Sequence, residues 1–280
     1  MVKNMKRIKK FINKIREMIM KPEMKILPGQ LAFFLVLSLI PIIVLIGFIC
    51  SNINVSLDNL IGAINSVLPE GISEILVRFI NGEGLNITLG FTMVIGFLLA
   101  SNGPHSIIIT SNTLYSINHS NYLARRIKAF LLTILLVLLF IFNMIVLAFG
   151  NYIIHFIFDS AIFSSVNSYI YQVFVLLKWP LGLLIVFITV KLIYTIAPDS
   201  SIPSKYNTRG SIFTTVLWSL VTVGYSYYVT HFNNYNVFYG SLTNIALLML
   251  WIYILSYILV FGMAINVHDY QMSQDFNKNK

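Results

Sequence analysis

Residues 211–230, SIFTTVLWSLVTVGYSYYVT, and residues 241–267, SLTNIALLMLWIYILSYILVFGMAINV, decide the fold class of this chain. Neither stretch contains an acidic or basic side chain, and a helix needs about 20 apolar residues to cross a hydrocarbon core of about 30 Å. The aromatic segment 231–240, HFNNYNVFYG, joins them. Amphipathic rings are favoured at the membrane–water interface. The pattern therefore predicts a transmembrane hairpin whose turn lies at one face of the bilayer.

The composition of the whole chain indicates the same class. Hydrophobic residues make up 57% of it and charged residues 10%, whereas soluble domains average about 45–50% and about 25%. We therefore expect an all-α, polytopic integral membrane protein with about six transmembrane helices. The predicted spans are residues 30–50, 87–111, 128–154, 173–196, 211–231 and 241–267.

The distribution of basic residues predicts the orientation of these spans. Of the 19 Lys and Arg residues, all but Arg78 and Lys178 fall on one side of the predicted membrane. Cytoplasmic loops carry an excess of basic residues, so both termini are expected in the cytoplasm. This topology accounts for the net charge of +9, and we expect no nucleic-acid binding. The partners predicted are the lipid bilayer and its anionic headgroups, and the pattern indicates no particular oligomeric state.

Three domains follow from these boundaries. Residues 1–27 form a cytoplasmic basic amphipathic segment, residues 28–268 the six-helix transmembrane domain, and residues 269–280 a cytoplasmic tail. Within the membrane domain, residues 55–81 carry apolar side chains at helical spacing around a Pro-Glu-Gly break. That pattern predicts an outer amphipathic segment, which is either a lid over an outward opening or an interfacial packing element.

The N-terminal segment is expected to lie on the membrane surface. Apolar residues occupy one helical face between residues 5 and 19, and basic residues fill most of the remainder. Such a helix docks on anionic headgroups, either as a plain anchor or as a specific lipid sensor. The residues predicted to contact headgroups are Lys6, Lys9, Lys10, Lys14 and Arg16.

The second predicted span is unusual because its purely apolar part, residues 87–100, is too short to cross a bilayer. The chain must continue through SNGPHS, residues 101–106. Polar groups at membrane depth face protein or a water-filled cavity, so they either join helices by hydrogen bonds or line a substrate path. The candidate path residues are Ser101, Asn102, His105, Asn112 and Lys191, the last of which could instead extend to the cytoplasmic headgroups.

An ordered series of short matches resembles the YihY/BrkB family of bacterial inner-membrane proteins, once labelled ribonuclease BN. The matches are Tyr194, Pro198, Gly210, Trp218, Tyr-Ser-Tyr-Tyr at 225–228, Tyr235, Asn236, residues 239–241, 250–253 and 262–266, with further similarity at 31–34, 38–41, Asn112, Tyr115, Arg125 and Arg126. The resemblance implies a multi-pass protein of the bacterial cytoplasmic membrane. The turn between the last two spans is short, aromatic and without basic residues, which predicts that it lies outside the cell. Its residues Tyr235, Asn236, Tyr239 and Gly240 are expected to form either an outer rim or gate, or an aromatic anchor.

Catalytic patterns are missing from the sequence. The five histidines are widely separated, so no local metal-binding motif is formed. All ten acidic residues fall outside the predicted spans, and no phosphate-binding glycine loop is present. We expect no cofactor, no metal and no enzymatic activity.

The leading functional hypothesis is a transporter or translocator of an amphiphilic, lipid-like substrate or a small polar one. The alternative is a non-transporting membrane scaffold that supports envelope integrity. A ribonuclease is the third and disfavoured hypothesis.

Overall fold

A computed structural model describes residues 20, 22–52, 61–62, 77, 95–118, 120–144, 168–231 and 241–278. Throughout these ranges the chain forms helices and turns without a strand, which confirms the all-α prediction. The predicted headgroup-contacting residues, nearly all of the outer segment 55–81 and the hairpin turn 232–240 lie outside the described residues.

Each predicted span overlaps one long helix. The helices are α1 (Pro22–Asn52), α2 (Asn102–Tyr115), α3 (Tyr122–Met144), α4 (Ser168–Ile196), α5 (Thr208–His231) and α6 (Ser241–Lys278). A short 3₁₀ turn, Ser204–Asn207, precedes α5. Two helical stretches in the described part of the chain, Ser204–Val229 and Ile245–Gln274, are long and apolar enough to cross a membrane by length and composition. The six crossings stay a prediction.

The polar stretch of the second span coincides with a break in the helix. Residues 95–100 are helical, Ser101 is a turn, and α2 begins at Asn102. Pro104 has no N–H to donate within the first turn of α2. Two side chains bond the carbonyl of Leu98 at this break: the Ser101 hydroxyl donates to it at 2.7 Å and Nη2 of Arg126 donates at 2.7 Å.

α6 is the helix against which the others are organised. It packs along α1 and α5 and also contacts α2 and the 3₁₀ turn. α2 packs between α1 and α3, and α4 contacts both α3 and α5. The shared apolar core includes Leu31, Ile108, Val190, Leu259 and Met263, all of them buried.

The crossing of α5 and α6 depends on two glycines. A Cβ atom added to Gly210 would collide with the carbonyl oxygen of Gly262 and with the Asn266 side chain. One added to Gly262 would collide with the hydroxyl oxygens of Thr214 and Tyr194. Small residues let helix backbones approach closely, and they are enriched where transmembrane helices pack together.

α6 continues well beyond the predicted end of its span at residue 267. Its C-terminal part packs against the connection before α5, since the Tyr206 hydroxyl lies 2.6 Å from the Ser273 hydroxyl. Nη1 of Arg209 lies 3.3 Å from Oδ2 of Asp269. The residues predicted as a cytoplasmic tail therefore extend the helix as far as Lys278.

The outer surface of the bundle is strongly apolar. On α3 and α5 the exposed large side chains recur every three or four residues and so form one stripe on each helix. These stripes are Leu123, Ile127, Leu131, Ile134, Leu138 and Phe142 on α3, and Ile212, Val216, Leu220, Val223 and Tyr227 on α5. In water such stripes would be unfavourable, whereas lipid tails solvate them well.

Candidate functional site

Asp199 is the centre of a polar network at one end of the bundle. It lies in the bend between α4 and the 3₁₀ turn, and its side chain is only 7% exposed. Nζ of Lys128 lies 3.1 Å from Oδ1, while Nδ2 of Asn112 and the Ser120 hydroxyl donate to Oδ2 at 2.7 and 2.8 Å. The backbone N–H of Asp199 donates in return to Oδ1 of Asn112 at 2.8 Å. Asp199 thus joins the α4–α5 connection to α2 and α3.

Lys128 strengthens the same junction through backbone groups. Its ammonium group also donates to the carbonyls of Ala197 at 3.0 Å and Pro198 at 2.6 Å. A lysine ammonium has three donors, so all three are used by neighbouring residues of one connection. The lysine therefore closes the carbonyl end of α4 as well as neutralising Asp199.

The pKa of Asp199 reflects both its burial and its partners. Burial alone raises the pKa of this carboxyl, but the hydrogen bonds from Ser120, Lys128 and Asn112 lower it to about 2. The group is therefore ionised throughout the physiological pH range.

A second junction forms around Asn207 in the 3₁₀ turn. The Tyr115 hydroxyl donates to Oδ1 of Asn207 at 3.3 Å. Nδ2 of Asn207 donates to the carbonyl of Tyr194 and to the Thr195 hydroxyl, both at 3.2 Å. The buried amide of Asn207 thus links the end of α2 to the end of α4.

A third set of bonds reaches deeper, between α4, α5 and α6. The Tyr194 hydroxyl lies 2.6 Å from the Thr214 hydroxyl and donates to the carbonyl of Leu259 at 2.7 Å. The backbone N–H of Gly210 donates to Oδ1 of Asn266 at 2.8 Å. Buried polar side chains therefore join the same helices that the glycine crossing brings together.

Other buried polar atoms in this bundle have no hydrogen-bond partner among the residues that the structure describes. We call five of their residues the polar seam; they lie on α2, α5 and α6, and α6 contacts the other two helices. The seam atoms are the hydroxyls of Ser106, Ser111, Thr215 and Ser256, and Nδ2 of Asn266. Nε2 of His105, Nε of Arg125 and Nε1 of Trp251 also have no partner among the described residues, but we do not include them in the seam. A buried donor or acceptor without a partner costs about 1–3 kcal/mol, so the seam is costly in the arrangement described.

The described part of the chain offers no metal centre, because no group of three His, Cys, Asp or Glu side chains there could hold an ion.

Comparison with known sequences gives the family. The profile of the family described as Virulence factor BrkB matches residues 19–280. The chain belongs to this family. The resemblance to YihY/BrkB proteins, found from short motifs, is therefore confirmed.

Relatives place the BrkB family among bacterial membrane proteins. A putative ribonuclease-like protein, YfkH of Bacillus subtilis, is 27% identical over 85% of this chain and 87% of its own length. A UPF0761 membrane protein of Pseudoalteromonas translucida is 36% identical over 25% of the chain and 23% of its own length. Another, from Idiomarina loihiensis, is 30% identical over 37% and 36% of the respective lengths. No solved structure matches the chain.

The UPF0761 relatives are described as membrane proteins. The ribonuclease-like wording belongs to the name of one relative at 27% identity. The prediction of a membrane protein of the BrkB family is therefore confirmed.

The structure separates the predicted path residues of this BrkB-family chain. Ser101 is buried and its hydroxyl bonds its own helical turn. Asn102 is half-buried and accepts a bond from Arg126 at 2.8 Å. His105 packs edge-on against Tyr122, with ring centroids 6.0 Å apart, and its Nε2 has no partner among the described residues.

The other two predicted path residues lie apart from the start of α2. Asn112 is fully buried in the Asp199 network. Lys191 is half-buried on α4 with its ammonium 5.8 Å from the ring centroid of Phe187. The predicted rim residues Tyr235, Asn236, Tyr239 and Gly240 lie outside the described residues.

Sequence reasoning missed Asp199, which is absent from the predicted site residues. A usable signal was present: the carboxylate directly follows Pro198, one of the residues that carry the family resemblance, in a connection that is otherwise basic. Asn207 gave no such signal, because an asparagine in a loop is ordinary turn chemistry.

Proposed function

We propose that this BrkB-family protein crosses the bacterial cytoplasmic membrane six times, with both termini in the cytoplasm, and translocates a small polar or an amphiphilic substrate. One observation carries the proposal: hydroxyl and amide groups that have no partner among the described residues are buried inside a bundle whose outer surface is apolar. An apolar exterior suits lipid, and unpartnered polar groups within an otherwise apolar interior suit contact with a solute.

Energetics favours this function over a purely structural role. A scaffold would be more stable with Ala, Val or Leu at the seam, because each unpartnered hydroxyl costs about 1–3 kcal/mol. Polar groups at membrane depth are found where they meet protein partners, water or substrate. The seam residues Ser106, Ser111, Thr215 and Ser256 are therefore the side chains that we assign to the substrate path.

The proposed orientation is supported by the basic side chains at the end of the bundle that contains the α4–α5 connection. Lys128 bonds the α4–α5 connection, and Lys205 and Arg209 lie in or just after that connection. Arg125 and Arg126 open α3 at the same junction. Basic residues collect on the cytoplasmic side of membrane proteins, so we assign this end to the cytoplasm.

The orientation can be tested by cysteine labelling. With native Cys50 replaced by Ala, single cysteines at Asn4 and Lys280 should resist an impermeant thiol reagent added to intact cells and react after the cells are opened. Reaction in intact cells would contradict the assigned topology.

Translocation is tested by comparing cells that lack the gene with cells that express the wild type or the variant Ser256→Leu at equal protein levels. Exported solutes and the lipid composition of each membrane leaflet should differ between the first two strains. The Ser256→Leu strain should resemble the strain without the gene, because Leu closes the path while suiting a buried helix face. Full activity of that variant, or identical profiles in all strains, would favour the scaffold.

A further inference from the structure

Two neighbouring arginines in the first turns of α3 are held in place by neighbouring groups. Nη1 of Arg125 donates to the carbonyl of Ser120. Nη1 of Arg126 donates to Oδ1 of Asn102 at 2.8 Å, and its Nη2 donates to the carbonyl of Leu98 at 2.7 Å. The guanidinium of Arg126 also lies 5.3 Å from the ring centroid of Phe130. Both side chains are therefore fixed rather than loosely solvated.

The charges of the two arginines are not neutralised by the residues described. Neither guanidinium lies within ion-pair distance of a carboxylate in that part of the chain, and nearby Asp199 is paired with Lys128 at 3.1 Å. Half-buried cations are unfavourable unless a counter-charge is present. The pair therefore forms a preorganised site for an anion.

The surface beside the arginines is apolar and exposed. Leu98, Leu99, Leu123 and Ile127 are 39%, 48%, 72% and 59% exposed. Leu98, whose carbonyl accepts a hydrogen bond from Arg126, belongs to this same surface. A ligand that suits both parts has an anionic head and apolar chains.

We infer that Arg125 and Arg126 bind the phosphate headgroup of an anionic phospholipid whose acyl chains lie against Leu98, Leu99, Leu123 and Ile127. Guanidinium groups present a planar fork that matches phosphate oxygens. Arg126 also holds the break at Ser101, so the bound lipid would steady the start of α2. The inference does not depend on translocation, because a scaffold could bind the same lipid.

If Arg125 and Arg126 served only to orient the protein in the membrane, replacing them by lysine would have no effect on lipid binding. A phosphate site predicts weaker binding, and this difference gives the test. Orientation depends on positive charge alone, so the double variant Arg125→Lys/Arg126→Lys would serve equally well. A phosphate site depends on the fork, which lysine lacks. Arg209→Lys is the matched control, because Arg209 lies at the same end, is 79% exposed and pairs with Asp269.

The experiment measures binding of phosphatidylglycerol to the purified, detergent-solubilised protein by native mass spectrometry and by the shift in melting temperature. Wild type and Arg209→Lys should bind alike, and the double variant about tenfold more weakly, since a hydrogen bond to a charged group contributes about 1.5–3 kcal/mol. Inorganic phosphate should give no comparable shift.

Two results would overturn the inference: equal phosphatidylglycerol binding by the double variant and the wild type, or a stabilisation by inorganic phosphate as large as that by the lipid. Size-exclusion chromatography establishes that each variant is folded. If the double variant is not, the single variant Arg125→Lys is compared with Arg209→Lys in the same way, because Arg126 then still holds Asn102 and Leu98.

Discussion

A single buried carboxylate, Asp199, organises the end of the bundle at which the α4–α5 connection lies. Asp199 accepts bonds from α2, α3 and the connection between them, and its side chain is almost completely buried. Its partner Lys128 is 25% exposed, so the pair is shielded from water more than an ordinary surface ion pair. Arg209 and Asp269, at 79% and 21% exposure, provide the comparison.

Replacing Asp199 by Asn should destabilise the protein by about 1–3 kcal/mol, because Lys128 loses its counter-charge while remaining partly buried. Asp269→Asn should cost about 0–1 kcal/mol, since its pair with Arg209 is solvated. The melting temperatures of the two variants, measured in the same detergent, show whether Asp199→Asn is the more destabilising change. Equal losses would show that the Asp199 network is no more than a surface interaction.

The lowered pKa of Asp199 also gives a pH dependence. The ordinary pKa of 3.8 falls to about 2 in the folded protein, so the carboxylate stabilises the fold above pH 3.8 and this contribution is lost as the pH falls through about 2. The stability difference between wild type and Asp199→Asn should accordingly be constant from pH 7 to about 5 and shrink in more acidic buffer. A difference that grows on acidification would have the wrong sign.

At the scale of helices, the sequence predicted where each element lies better than where it ends. The six predicted spans overlap the six helices because a charge-free apolar run marks a helix that is surrounded either by lipid or by other parts of the protein. The extension of α6 to Lys278 was not foreseen, since residues 268–278 are mostly polar. Contacts with the α4–α5 connection, such as Tyr206 with Ser273, stabilise that extension, and such tertiary contacts have no local signature.

The α5–α6 crossing predicts opposite effects for two glycines on one helix. Gly210→Ala should destabilise the protein by about 1–3 kcal/mol, because the new methyl group meets the backbone of Gly262. Gly224→Ala should stabilise it by about 0.5–1 kcal/mol, because nothing lies within 4 Å of the added Cβ and alanine favours the helix. Thermal denaturation measures both. A tolerated Gly210→Ala would contradict the close packing described.

Asn112 joins α2 to the bend at Asp199, so its removal should loosen the connection between α2 and α3. In Asn112→Ala, amide hydrogen exchange of residues 116–121 should be faster than in the wild type. Thr113→Ala is the control, because its exposed hydroxyl bonds only the carbonyl of Ile109 in its own helix among the contacts described. Unchanged exchange in Asn112→Ala would mean that the connection is held by other groups.

At the scale of the whole molecule, class and family followed from the sequence, whereas the site did not. Apolar composition predicted a membrane protein, and short motifs predicted the BrkB family that the family profile confirms. Tyr115, Tyr194 and Gly210 were singled out only as matches to a pattern, and Asn112 was singled out both as a match and as a candidate path residue. Their convergence on one end of the bundle depends on how distant helices pack, which residue spacing alone does not specify.

The proposed translocation requires a polar seam that water and solute can reach. This requirement is tested most directly by the reaction of single cysteines with a small, water-soluble thiol reagent in membranes, in a background where Cys50 is Ala. Thiolate, the reactive form, requires water. Thr215 is 5% exposed within the bundle, and its neighbour Val216 is 51% exposed on the predicted lipid-facing stripe.

Thr215→Cys, and Ser256→Cys near the middle of the sixth predicted span, should react, while Val216→Cys at the same depth as Thr215 should not. Equal inertness of all three cysteines in folded, membrane-inserted protein would mean a dry, solid bundle and would contradict the account.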